Sequence, residues 1–186
     1  QETHTFTNPD VTYHEIGKFC RLALKCNPSV AELLWLADYQ LFTATGMELL
    51  QLRSHFLSEK YVRNSYFGYA VGQFRDLKAR DGKNFSSDLG NRTAKHARHI
   101  ARLLHQGYEL YTTGNLTIKL ETPEWYHNFG EEVASGNIDI VEELISKYEK
   151  LFDEANTPLP TRANSDVIDE FVIKLRTSQI VEEVGN

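Results

Sequence analysis

The stretch "NRTAKHARHIARLLHQGYELYTTGN", residues 91–115, decides how this chain is read. Ile100, Leu103, Leu104, Leu110 and Tyr111 fall on one side of a 3.6-residue period, so the segment is predicted to be a long amphipathic helix. Gly114 supplies its C-terminal stop. The polar side carries Arg92, Lys95, His96, Arg98, His99, Arg102 and His105. Projected at 100° per residue, Lys95, His99 and Arg102 share one face, with Arg92 and His96 flanking it.

Such a helix is unexpected in an acidic protein. The net charge is −6, but its distribution is uneven. Residues 1–52 carry a net −3, residues 53–105 a net +7, and residues 106–186 a net −10. A basic middle between acidic flanks favours a local anion site over general coating of nucleic acid. Interleaved Arg, Lys and His suit phosphate: a guanidinium fork, an ammonium point charge and an imidazole. Composition alone also allows a solvated charged face. A further alternative pairs Arg92 with His99 in the manner of small helical ribonucleases, with Arg holding phosphate and His acting as metal-independent acid or base. His96 and His99 are three apart, but no third metal ligand lies near them in sequence.

Outward from this helix, the remaining segments are mostly helical. Residues 1–11 are polar and extended, with room for a short strand; Pro9 disfavours helix at Asn8. From Thr12, Ile16, Phe19, Cys20, Ala23 and Leu24 keep helical spacing until the Asn27-Pro28 breaker. Ser29 with Glu32 reads as a capping box ahead of "ELLWL". Residues 45–57 form another helix, and Ser58 caps the aromatic segment that follows. There Phe67 and Phe74 read as core, while Tyr66 and Tyr69 are candidates to stack on a base or bond a phosphate. "DGKNFSSDLGN" (81–91) is a loop, and "NLTIKLE" (115–121) alternates like a short edge strand. Pro123 opens a helix, "IDIVEELISKYEKLFDEA" forms another, and "TPLP" precedes a last one near 166–183.

The chain of 186 residues is therefore expected to be mainly α, with about seven helices and one or two short strands. It divides into a terminal strand at 1–11, belonging to a palm-like α/β unit, and a helical domain at 12–186. At 41% hydrophobic and 25% charged it has globular composition, and no apolar run approaches a membrane span. Cys20 and Cys26 have neither metal nor disulfide spacing and read as buried thiols in a reducing compartment. The Asn-x-Ser/Thr triplets at Asn84, Asn91 and Asn115 have meaning only in a secreted protein.

Three segments together resemble the nucleotidyltransferases of the DNA polymerase β superfamily, in the RNA-repair-associated branch of bacteria and their phages. In "DVTYHEIGKFCRLALKCNPSVAELLWL" the resemblance rests on Asp10, Tyr13, Glu15, Lys18, Phe19, Asn27, Pro28, Glu32, Leu33 and Leu34. In the opening stretch it rests on Lys95, His99, Arg102, Leu103, Leu104, Glu109, Leu110, Thr113 and Gly114. "ASGNIDIVEELISKYEKLFDEANTPLP" is similar to the family's tail. The family's Gly-Ser…Asp-x-Asp signature, which supplies two metal-binding carboxylates, does not occur here. The chain begins at Gln1, and its one methionine is Met47. It is therefore expected to be the C-terminal portion of a longer enzyme, or a fragment that keeps the helical half without the palm.

The resemblance implies transfer of a nucleoside monophosphate from an NTP to an RNA, protein or small-molecule acceptor, using Mg²⁺ where the palm is complete. It makes Asp10 the third, metal-binding carboxylate that polarises the acceptor hydroxyl, with Glu15 as second choice. It gives Lys95, His99 and Arg102, with His96 as neighbour, the role of neutralising phosphate; Asn27 and Glu32 orient the cleft. The implied partners are NTP and an RNA or tRNA, with a homo-oligomer or a partner protein also foreseen, and the implied setting is the cytoplasm of a bacterial or phage-infected cell. A non-catalytic helical module that binds nucleotide, RNA or a partner fits the same residues.

Overall fold

A computed structural model describes residues 3–80 and 87–184. The chain forms two compact units, one from residues 1–61 with 160–186, the other from 62–159. Helix dominates both, as the periodicity predicts.

In the first unit, β1 (Thr3–Thr7) and β2 (Asp10–His14) pair as an antiparallel hairpin, with Thr3 opposite His14 and Thr7 opposite Asp10. The second strand thus continues through residues whose pattern had turned helical from Thr12. Helix begins only where Glu15 caps α1 (Ile16–Leu24) by accepting from the Gly17 and Lys18 amides, both at 3.0 Å. α1 ends in a Schellman turn: Cys26 N–H donates to Ala23 O and Asn27 N–H to Leu22 O. Cys26 occupies the left-handed position at φ 51°, where glycine is usual. Its side chain is fully buried, with Sγ donating to Phe56 O at 3.8 Å, and that burial offsets the backbone cost.

Asn27, rather than Ser29, caps α2 (Pro28–Ala31), because Pro28 fixes the first helical position and Asn27 Oδ1 then meets the Val30 amide. A 3₁₀ turn over Glu32–Trp35 follows. α3 (Ala44–Gln51) is capped by Thr43, and a second 3₁₀ turn covers Arg53–Phe56. α4 (Glu59–Arg63) leads into the second unit, and α9 (Ser165–Val184) returns to the first. Ile168, Phe171 and Val172 of α9 pack with Cys20, Ala23, Val30, Leu34 and Phe56 as the core of this unit.

The second unit is built on the long basic helix that contains residues 91–113. α6 (Ser87–Thr113) is flanked by α5 (Tyr69–Arg80), α7 (Pro123–Ala134) and α8 (Asp139–Glu154). It begins at Ser87, inside the segment expected to be loop; residues 81–86 of that loop lie outside the described residues. A π turn over Asn64–Gly68 joins α4 to α5. Ala94, Ala97 and Ala101 leave the first half of α6 slim enough for α7 to approach closely. A Cβ on Gly130 of α7 would stand 2.7 Å from Ala94 O. The second half passes the π turn equally closely at Gly107.

Residues 115–121 form no strand. At Thr117 the backbone is taken by α6 side chains instead: Gln106 Nε2 donates to Thr117 O, and Glu109 accepts from Thr117 N, both at 3.0 Å. Apolar alternation specifies a strand only where another strand offers its edge, and here a helix face does so.

Candidate functional site

α6 sorts its charged side chains by face. Arg98 turns toward α7 and pairs with Glu131 at 3.3 Å, its stem against Gly130. His96 turns toward α5, where its Nε2 meets Gln73 Oε1 at 2.7 Å. Lys95 and His99 remain exposed, and Lys95 has no hydrogen-bond or ion-pair partner among the described residues. Arg102 is half-buried, and its Nε donates to Gln106 Oε1 at 3.0 Å. Tyr69 of α5 sets its ring edge-on to His99, with centroids 5.9 Å apart. Desolvation, with the Arg102 charge beside it, holds the His99 imidazole below its ordinary pKa, so the ring is neutral at pH 7. Lys95, His99 and Arg102 thus stand on one side of α6, the first and last seven positions or about 10 Å of helix apart.

Tyr66 sits elsewhere. It is 1% exposed, wedged from the π turn against Gly107, so its ring has no face open to a base. The first unit holds the other sequence candidates. Asp10 is exposed at the turn end of β2. Both Glu15 oxygens are engaged, by Arg176 at 2.7 Å and by the two amides that start α1. The Arg176 bond, then the Gly17 amide, lower the Glu15 carboxyl to about pKa 2. Asn27 is spent on capping α2, and Glu32 opens a 3₁₀ turn.

One group that the residue spacing did not single out lies one turn beyond Arg102. His105, Gln106 and Glu109 of α6 face Thr117, the 119–122 segment and Tyr126 of α7 across a cavity of about 280 Å³. His105 Nδ1 is hydrogen-bonded to Tyr126 Oη. The imidazole is enclosed by rings: Trp125 at 4.9 Å, Tyr126 at 5.1 Å and Tyr148 at 5.2 Å. Desolvation, then the Lys147 charge, push His105 below its ordinary pKa. Burial raises the Tyr126 phenol and pushes Tyr148 up to about 12. Gln106, one of the few buried polar residues, links Arg102 to the 117 backbone. A clue was present in the sequence, because His105 and Glu109 are four apart on the helix. Nothing in the spacing, however, says that residues 117–126 close over them.

Residues 2–121 match the family described as RlaP, RNA repair pathway DNA polymerase beta family. The chain belongs to this family. It is accordingly a nucleotidyltransferase-like protein of the polymerase β superfamily. No curated protein and no solved structure matches the chain. The family match contains the hairpin, all of α6 and the segment to Glu121; the resemblance noted for residues 134–160 falls outside it.

The family's chemistry raises the question of a divalent ion. Among the described residues no three His, Cys, Asp or Glu side chains gather as a metal site, and Glu15 is neutralised by Arg176. The described residues therefore hold no three-ligand divalent-ion site of their own. No helix among the described residues is long and apolar enough to cross a membrane.

Proposed function

We propose that this RlaP-family chain supplies the phosphate-holding helical part of a nucleotidyltransferase. Such an enzyme moves a nucleoside monophosphate from an NTP to an RNA, protein or small-molecule acceptor. The observation that carries the reading is the side of α6 formed by Lys95, His99 and Arg102. Lys95 contributes a mobile point charge, and Arg102 a fork steadied by Gln106. His99, neutral at pH 7, offers a ring N–H without repelling its cationic neighbours. The span of about 10 Å suits a triphosphate or successive phosphates of one strand. Tyr69, exposed beside His99, offers an aromatic ring at the same place. Asp10, exposed at the hairpin, stays the candidate for the acceptor-polarising carboxylate, and Mg²⁺ the candidate ion of the transfer where the palm carboxylates are present.

Titration of the full chain with a short single-stranded RNA at several salt concentrations tests the phosphate reading. Each phosphate contact contributes about 0.7 to the slope of log K against log salt. Replacing Lys95 and Arg102 together by alanine is expected to lower that slope by about 1.4. An unchanged slope, or binding that ignores salt, refutes the assignment.

A further inference from the structure

The cavity beside His105 has two kinds of polar lining. Gln106, Glu109 and Thr117 satisfy one another, with Glu109 accepting from Thr117 N at 3.0 Å and from Thr117 Oγ1 at 2.5 Å. Lys119, Glu121 and Thr122 have exposed side chains that bond to none of the described residues. Thr122 stands at the N-cap of α7 without making the capping bond open to a hydroxyl there. These three residues are the groups left to meet something else, and they offer an ammonium, a carboxylate and a hydroxyl. The remaining walls are Leu120 and the rings of His105 and Tyr126, with Trp125 and Tyr148 packed against His105.

This lining selects by chemistry. A bare anion is disfavoured, because Glu109 and Glu121 both face the space. A wholly apolar ligand would leave Lys119 and Glu121 unanswered. A flat heteroaromatic ring with donors and acceptors along its edge meets both demands: rings for its faces, the 119–122 segment for its edge. The volume, about 280 Å³, lies near the lower limit of small-molecule pockets, at roughly 300 Å³. Position adds a second constraint. Gln106 follows Arg102 by four residues, about 6 Å along the helix, so the cavity adjoins the cationic side of α6.

We infer that this cavity is a base subsite, taking the purine or pyrimidine base of a nucleoside whose phosphates extend along α6 toward Arg102, His99 and Lys95. The direction of the phosphates rests on the phosphate reading above; the capture of the base does not.

Unphosphorylated nucleosides separate the two. Adenosine, guanosine, cytidine and uridine are titrated by calorimetry into the full chain, alongside inorganic tripolyphosphate. Saturable binding of at least one nucleoside is expected. It should weaken at least tenfold in a Lys119→Ala/Glu121→Ala/Thr122→Ala variant and persist in Lys95→Ala/Arg102→Ala. All three replaced side chains are exposed, and unchanged far-UV circular dichroism reports that the variant is folded. Tripolyphosphate binding without nucleoside binding overturns the base subsite and leaves the phosphate reading standing. Nucleoside binding that the triple variant retains in full also overturns it, because the base then sits elsewhere.

Discussion

Gly107 gives the sharpest test of how the second unit is packed. A Cβ built on it stands 2.3 Å from Tyr66 Cβ and 2.9 Å from Tyr66 Cγ. Carbon atoms pack best at about 3.5–4.0 Å, so a Gly107→Ala methyl lacks about 1.2–1.7 Å of space. No side-chain rotation relieves the 2.3 Å contact, because both Cβ atoms are fixed to backbone; α6 and the π turn must separate. Overpacking of this kind costs up to about 3 kcal/mol. Alanine returns about 1 kcal/mol of helix propensity, leaving a net loss of about 2 kcal/mol. For a unit of this size the melting temperature should fall by roughly 8–16 °C. Gly72 of α5 is the internal control: nothing lies within 4 Å of its Cβ, so Gly72→Ala should stabilise by about 0.5–1 kcal/mol. The chain has two tryptophans, and a Trp35→Phe background leaves Trp125 to report on the second unit alone. If Gly107→Ala melts at or above Gly72→Ala, the close approach of Tyr66 and α6 is wrong.

Glu15 should make the first unit acid-sensitive. Its folded pKa of about 2 lies below the ordinary glutamate value of 4.5, so its contribution is complete above pH 4.5 and is lost as pH falls toward 2. The pair with Arg176 is partly solvated, so Glu15→Gln should cost only about 1–2 kcal/mol at pH 7, cap included, and flatten the stability profile between pH 4.5 and 2; denaturant titrations across that range showing parallel profiles would falsify the Glu15–Arg176 pair. Glu109→Ala should release the 117 segment, seen as faster hydrogen exchange at the Thr117 amide, at a cost of about 1–2 kcal/mol. Unchanged protection at Thr117 contradicts that role. Cys20 and Cys26 are buried with thiols raised to about 11, by desolvation above all, so iodoacetamide at pH 8 should label neither until denaturant is added. Prompt labelling of the native protein contradicts their burial.

The helices were legible because their signals are local. Apolar spacing marks α1, α6 and α8, Ser58 caps where expected by accepting from Tyr61 N at 3.4 Å, and Gly114 stops α6 at φ 71°. Failures came where a local signal had a rival. Asn27 outcompeted Ser29 because Pro28 had already fixed the first helical position. The alternation of residues 115–121 spelled a strand, but Gln106 and Glu109 offered their backbone a helix face. Tyr66 and Tyr69, three apart and alike in sequence, divide into a buried wedge and a half-exposed ring because Tyr66 lies inside the π turn and Tyr69 opens α5 after it.

The candidate site shows the same division. Residue order places Lys95, His99 and Arg102 on one side of a helix, since 3.6 residues per turn is a property of the backbone and needs no partner. Whether a charge on that helix is committed depends on what packs beside it. Arg98 meets Glu131 only because Gly130 lets α7 come close, and His105 meets Tyr126 only because the chain turns back across α6. The sequence by itself determined the helices, the charged side of α6 and the family to which they belong. Tertiary structure alone decided which of those charges face solvent, and that a ring-walled cavity lies one turn away, because contacts between residues distant along the chain leave no periodic trace in it.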